Sequence, residues 1–535
     1  MIARDHNSLG EATIVMMEAL FSDIMDQSGI DLSRDLDRLR SIGRESGFVG
    51  MQSFLDKHRK VYLEWLQTEA LTPTDVAHHP DGTPIFLSQL WHALTGNYVW
   101  RTGCDRVFFV SALEQVFALS RKLRSRVAMD GGRESFIHRM RLNAATCALH
   151  TMAERTSRMV RMLIGDDLDY KVVIVPPVST GARLDHTDIL VRMDEVGAST
   201  WAKFTSSSET LVSGPHVNRL VEVPKDWSKN RLVFAESNAA MQSQQKIRCF
   251  IETRCQQSRE GRTRIDFVDQ ESQRRSLRRQ GVASIDLSDA SDRLSTYVVW
   301  RLWRKLPILR AEMFACRSHR TQCGIPLTCY GTMGNATTFP VMTVTLCAIA
   351  MAVEEYMAEI TGTRYKRTTV FGDDIVCDDR IAEEILYHLE AFGLVPNRTK
   401  TFVGSRYKES CGINLYDSYD VTPVHVKEVH GRAHADRYRN VQTSNAFYER
   451  GWWHTARLFF EESAIAHVNV DETSHRSFTT NVVTTGCRWS RRYQKYVPKG
   501  PHHRKTVVLE RDSHLDLQYA LYHGTRVRTQ KTQNS

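Results

Sequence analysis

The sequence predicts an α+β fold, and three observations predict it. At 535 residues the chain exceeds what one core organises, so roughly two to four subdomains are expected. Its first 170 residues carry mainly helical spacing, and the stretch 217–425 mixes strand and helix patterns. Hydrophobic residues at 41% and charged residues at 25% are ordinary for a globular protein, which excludes global disorder.

In the helical part, Phe54, Leu55, Val61, Tyr62, Leu63 and Trp65 sit among charges at roughly helical spacing, as do Leu113, Val116, Phe117 and Leu119. Lys171 to Pro177 reads as a strand ended by prolines, followed by a turn at Ser179-Thr180-Gly181-Ala182. Phe339 to Val353 is the longest apolar stretch. Thr343 and Thr345 interrupt it and Glu354-Glu355 close it, so it reads as a buried helix rather than a membrane span. Asp379 to Phe392 forms an amphipathic helix, with Ile381, Ile385, Leu386, Leu389 and Phe392 on one face and Gly393 as its stop. No repeat and no low-complexity linker is visible, so the subdomains are expected to interleave.

The eleven cysteines are scattered, with no C-x-x-C pair and no zinc-finger spacing, and are expected to be reduced thiols. The first residues lack the apolar block of a signal peptide, so a soluble protein is expected. The net charge of +9 is uneven: from Cys487 onward eleven Lys/Arg stand against three Asp/Glu, and the rest is nearly neutral. Within that end, Arg488-Trp489-Ser490-Arg491-Arg492-Tyr493-Gln494-Lys495-Tyr496 interleaves cations with aromatics, which suits phosphate contact and base stacking. A solvated charged tail, or cation–π packing within the protein, is the alternative.

Two acidic segments carry the chemistry. Between β-prone runs, Gly372-Asp373 suits a tight hairpin turn, and Asp374 adds a second charge at its tip. Repelling carboxylates there add nothing to a core; a solvated turn with an incidental second Asp is the alternative. In Ala283-Ser284-Ile285-Asp286-Leu287-Ser288-Asp289-Ala290-Ser291-Asp292, Asp286 sits where an apolar strand ends, whereas Asp289 reads as a helix cap. Magnesium takes oxygen ligands and needs only one or two carboxylates plus substrate phosphates. A strand-end Asp facing a hairpin-tip Asp supplies that platform.

These segments resemble the palm motifs of the replicase catalytic subunits of leviviruses, the single-stranded RNA bacteriophages. Ile285 to Asp292 is similar to motif A, Met333-Gly334-Asn335-Ala336-Thr337-Thr338-Phe339 to motif B, and Phe371-Gly372-Asp373-Asp374 to motif C. Lys400-Thr401-Phe402 and Glu409-Ser410-Cys411-Gly412 resemble motifs D and E, and Val223 to Arg231 with Glu236 resembles the basic motif F. The likeness runs over roughly 175–415.

The resemblance implies an RNA-dependent RNA polymerase with a right-hand fold of palm, fingers and thumb. It implies Asp286, Asp373 and Asp374 as ligands of two Mg2+ ions (Mn2+ as substitute), with Asp374 the more peripheral. Lys400 would protonate pyrophosphate, or else form a structural salt bridge. Lys225, Lys229 and Arg231 would line the triphosphate channel, and Asp292, Gly334, Asn335 and Thr338 would meet the nucleotide. Asp292, among small neighbours, can accept a hydrogen bond from a 2′-hydroxyl. The Asn common four residues beyond Thr338 is Met342 here, so sugar recognition leans on Asp292 and on Asn335 or Thr343.

The expected division is a helical N-terminal region and fingers over 1–200, a palm with a finger insertion over 201–430 (catalytic core about 270–405), and a thumb and basic end over 431–535. Expected partners are RNA template and product, ribonucleoside triphosphates, host elongation factors Tu and Ts and a ribosomal RNA-binding protein, in the bacterial cytoplasm and without a membrane. A reverse transcriptase, or a non-catalytic RNA-binding protein with a degenerate palm, remains a rival.

Overall fold

The computed structural model describes residues 6–71, 75–96, 105–123, 132–145, 151–170, 217–428, 434–463, 487–490 and 495–498. The strand expected at Lys171 to Pro177 and the turn after it lie outside these residues.

The helical opening is borne out: α1 (His6–Ser28), α2 (Ser33–Thr68), α3 (Ser88–Thr95), α4 (Arg106–Ala118), α5 (Gly132–Ala145) and α6 (Ala153–Ile164). A hairpin of β1 (Val217–Pro224) and β2 (Asn230–Ala235) follows, then α7 (Asn238–Gln257), α8 (Arg259–Arg264) and α9 (Gln270–Leu277). Next come β3 (Val282–Ile285), α10 (Ala290–Arg293), α11 (Thr296–Leu302), α12 (Pro307–Ala315), β4 (Arg320–Thr321) and α13 (Thr338–Thr361). The chain continues with β5 (Thr369–Phe371), β6 (Asp374–Asp378), α14 (Ala382–Ala391), β7 (Tyr407–Ser410), β8 (Ile413–Tyr416) and β9 (Tyr419–Asp420). It closes with α15 (His434–Glu449), α16 (Trp453–Ser463), β10 (Cys487–Ser490) and β11 (Lys495–Pro498). The class is α+β.

At the centre is an antiparallel sheet in the order β3-β6-β5. Across it lies α13, whose stretch from Val341 to Val353 is apolar or Thr on every side and buried. Length and composition alone would let α13 cross a membrane, but every residue from Val341 to Val353 is buried inside the protein. Pro340 falls in its first turn, where no intrahelical N–H is lost, and Gly362 ends it in the left-handed conformation. The Trp303 indole, fully buried, donates to Thr345 Oγ1 at 3.0 Å. The amphipathic helix splits into a 3-10 turn at Asp379–Ile381 and α14 proper, and its apolar face joins this core.

The polar end of α13 is tied to the sheet by a buried pair. Arg264 grips both oxygens of Glu354 at 3.0 and 2.9 Å, and Thr368 N, just before β5, donates to Glu354 Oε1 at 2.6 Å. Removing one partner strands the other charge, so Glu354→Ala is expected to cost about 3 kcal/mol or more. Chemical denaturation checks it; an unchanged midpoint would remove the pair from the fold's support.

A second core unites distant parts of the chain. Residues of α1 to α4 pack with Phe402, Tyr407, Tyr416, Val421, Phe447 and Trp452. Buried Asp23 of α1 caps α16, accepting from His454 N, Thr455 N and Thr455 Oγ1 at 2.6, 2.9 and 2.8 Å. One core thus joins the first four helices to residues beyond 400.

Candidate active site

Gly372 and Asp373 form the two-residue turn between β5 and β6, closed by the pair Phe371↔Asp374. Gly372 has φ +63°, and a Cβ there would stand 3.0 Å from the Phe339 ring. Its N–H donates to Thr343 Oγ1 at 3.1 Å, while that hydroxyl donates to Phe339 O at 2.8 Å. Thr343, a candidate for sugar recognition, is thus fully buried and pins the turn to α13. Thr343→Val should cost about 1 kcal/mol of stability and lower turnover, because the turn loses its anchor; unchanged turnover would show that the turn holds without it.

Register supplies the partner carboxylate. Ile285 pairs with Ile375, so Asp286, one residue on, comes abreast of Asp374 at the hairpin tip. Asn397 fixes Asp286 from the other side: its Nδ2 donates to Asp286 Oδ2 and its N to Asp286 O, both at 2.9 Å. Residue Asn397 carried no signal beyond a loop after Pro396.

Burial raises all three carboxyls above the usual carboxylate range. For Asp374 burial comes first, Asp373 adds to it, and the result is pushed up to about 7 even though Cys411 N donates to Oδ2 at 3.0 Å. A carboxyl whose folded pKa is raised stabilises the fold below the unfolded value, about 4, and that contribution is lost as pH climbs through about 7. Asp378, held low by Arg380, titrates in the opposite sense, so the useful quantity is a difference. Without divalent cation, the melting temperature of Asp374→Asn minus that of wild type should grow between pH 4 and pH 8. A flat difference contradicts the crowded site.

Three cations bear on Asp373: Lys225, Arg231 and Lys400, which offset part of its burial. Lys225 and Arg231 are exposed on the β1–β2 hairpin. Lys229 is exposed too, and its carbonyl closes the hairpin turn, accepting from Lys225 N at 3.0 Å. Lys400 Nζ donates to Glu409 Oε1 at 3.1 Å, the salt bridge weighed as the alternative. Burial would lower the Lys400 pKa, but Glu409 and Asp286 outweigh it and raise it.

Gly334 has φ +119°, and a Cβ there would stand 2.0 Å from Phe234 O; Phe234 N donates to Met333 O at 2.7 Å. The basic hairpin and the Gly334 loop are therefore locked together. Two neighbours are bonded within the loop. Asn335 is buried and its Oδ1 accepts from Thr337 N and Oγ1 at 2.8 and 2.7 Å, so it shapes the loop from within. Thr338 is the first residue of α13, and its hydroxyl donates to Thr332 O at 2.9 Å.

Asp292 pairs with Arg139 of α5. Asp289 takes the expected position before α10 but makes no capping bond; its left-handed backbone turns the carboxylate toward Arg139. Cys411 lies in a left-handed turn with its thiol pushed up to about 12 by burial and by Asp374, which leaves it inert. Near the end, β10 and β11 pair antiparallel with Trp489 opposite Tyr496, and residues 491–494 lie outside the described ones.

A family model described as RNA replicase, beta-chain, matches residues 192–433. That region is similar to the RNA replicase beta-chain family. The RNA-directed RNA polymerase beta chain of Escherichia phage MS2 is 33% identical over 219 residues, 39% of this chain and 38% of its own. The corresponding protein of Enterobacteria phage fr is 33% identical over 226 residues, 41% and 38% of the two chains. The replicase-like chain thus spans little more than a third of the length of these relatives. Among solved structures, an RNA polymerase complex inside a dsRNA virus matches with a TM-score of 0.43 at 11% identity, over 82% of this chain and 48% of that one. The RNA-dependent RNA polymerase of a human picorbirnavirus matches with a TM-score of 0.38 at 13% identity, over 62% and 73%. The replicase region holds all of Asp286, Asp292, Gly334, Asp373, Asp374 and Lys400, and the hairpin of Lys225 and Arg231.

Proposed function

We propose that this chain is the catalytic subunit of an RNA-dependent RNA polymerase that copies a single-stranded RNA phage genome from ribonucleoside triphosphates. The observation that carries the reading is the β3–β6 register, which sets Asp286 beside the Gly372-Asp373-Asp374 turn under two exposed cations.

The donor set fits divalent magnesium. Among the described residues no group of three or more His, Cys, Asp or Glu forms a ready-made cluster. Magnesium needs less, since one or two carboxylates suffice when triphosphate oxygens complete the shell. Asp286 and Asp373 are the proposed ligands. Asp374, engaged by Cys411 N, is the peripheral one. When bound, two such ions activate the 3′-hydroxyl and stabilise the pyrophosphate leaving group.

The chain's own groups do the rest. Lys225 and Arg231 draw the triphosphate toward Asp373. Lys400, held protonated by Glu409 and Asp286, stands ready to give a proton to pyrophosphate as the α-phosphorus bond to it breaks. Arg231→Ala is expected to raise the nucleotide KM about tenfold, the scale of one charge-assisted contact of 1.5 kcal/mol or so. Unchanged KM and rate would remove Arg231 from the channel.

The partners the resemblance implies are elongation factors Tu and Ts and a ribosomal RNA-binding protein, met in the bacterial cytoplasm. The deciding experiment is synthesis by the purified chain on a short RNA template, with ribo- or deoxyribonucleotides, with and without magnesium and host lysate. Magnesium-dependent ribonucleotide incorporation supports the proposal. Preference for deoxyribonucleotides would make the chain a reverse transcriptase, and no synthesis under any condition would leave a binding protein.

A further inference from the structure

Helix α5 belongs to none of the sequence motifs, yet it touches motif A and segments that lead into motif B and accompany motif F. Arg139 Nε and Nη2 donate to Asp292 Oδ2 at 3.1 and 2.9 Å, and Nη1 lies 3.4 Å from Asp289 Oδ2. Asn143 Nδ2 donates to Asp292 O at 2.5 Å. On the same helix, Met140 O accepts from Thr328 Oγ1 at 2.6 Å, ahead of the Gly334 loop. Phe136 packs against Phe234 of the basic hairpin, ring centroids 4.9 Å apart.

The pair is built for geometry. The Arg139 and Asp292 side chains are only 14% and 13% exposed, so water competes weakly for their bonds. Both Arg139 bonds fall on Oδ2, and Ser291 also bonds the carboxylate. A carboxylate offers about four acceptor sites, so one further donor can still be taken. An aspartate turns freely about its side-chain bonds, whereas one gripped by a planar guanidinium keeps a fixed plane.

We propose that Arg139 is a positioning residue for sugar selection: it fixes the plane of the Asp292 carboxylate so that a remaining acceptor site meets the 2′-hydroxyl of the incoming ribonucleotide. The inference rests on the polymerase reading above. It makes ribose selection depend on a helix about 150 residues upstream of motif A.

The test is single-nucleotide incorporation by the full chain on one RNA template, comparing ribo- and 2′-deoxyribonucleoside triphosphates. Arg139→Met should lower ribonucleotide kcat/KM on the order of tenfold, mainly through KM, and leave deoxynucleotide kcat/KM unchanged. Arg139→Lys, which keeps the charge but not the fork, should fall between. Adding Arg139→Met to Asp292→Asn should cost no further discrimination. Equal losses for both nucleotides would mean a structural pair and overturn the proposal. So would wild-type discrimination in Arg139→Lys if Arg139→Met fails to fold. An active wild type with unchanged discrimination in the variants removes this inference alone, whereas a wild type that incorporates no ribonucleotide removes the polymerase reading and this inference with it.

Discussion

Asp373→Asn is expected to abolish nucleotide incorporation while leaving RNA binding intact. Asparagine keeps the size and one acceptor but loses the charge that holds a divalent cation. A metal's share of transition-state stabilisation is several kcal/mol, which corresponds to a rate loss on the order of 10³-fold. Asp374→Asn should be milder, because an amide oxygen can still accept from Cys411 N. Primer extension with a parallel RNA-binding titration checks both. Full activity in Asp373→Asn, or equal losses in the two variants, would sink the division of labour between them.

Gly334→Ala is the second large effect expected, and it needs no contact with substrate. Its Cβ would meet a backbone carbonyl, Phe234 O, at 2.0 Å, and φ +119° is a conformation that L side chains avoid. The loop or the β2 strand must move, at a cost of about 2–3 kcal/mol. Because β2 carries Arg231, nucleotide affinity should fall along with stability. Gly404→Ala is the control: φ +62° and nothing within 4 Å, so about 1 kcal/mol of backbone strain and unchanged affinity. Melting temperature and nucleotide KM read the contrast, and similar values for the two variants would show that the close approach at Gly334 is not a constraint.

The candidate carboxylates were legible because charges at a strand end and a hairpin tip add nothing to a core, and Gly372 with φ +63° marks the turn. Helix α13 was legible for a related reason, since an apolar run interrupted by Thr343 and Thr345 and closed by Glu354-Glu355 reads as a buried helix. What stayed hidden acts across the chain. Asn397 reaches Asp286 over 111 residues, and Arg139 reaches Asp292 over 153. Neither has a local pattern, because a hydrogen bond to a distant partner leaves no periodicity. The loop bonds of Asn335 and Thr338 stayed hidden for a similar reason. Both are polar residues in one loop, and the sequence does not show that their oxygens serve the backbone of that loop.

The cap that Asp23 places on α16 has a consequence for synthesis of the protein itself. The core of the first four helices is completed by Tyr407, Phe447 and Trp452. Those helices therefore leave the ribosome with an apolar face still open, and wait there until some 330 further residues have been translated. Vectorial folding from the front is barred for this core. The chain is expected to depend on chaperones while nascent, and to gain a competent active site only once α16 has emerged from the ribosome.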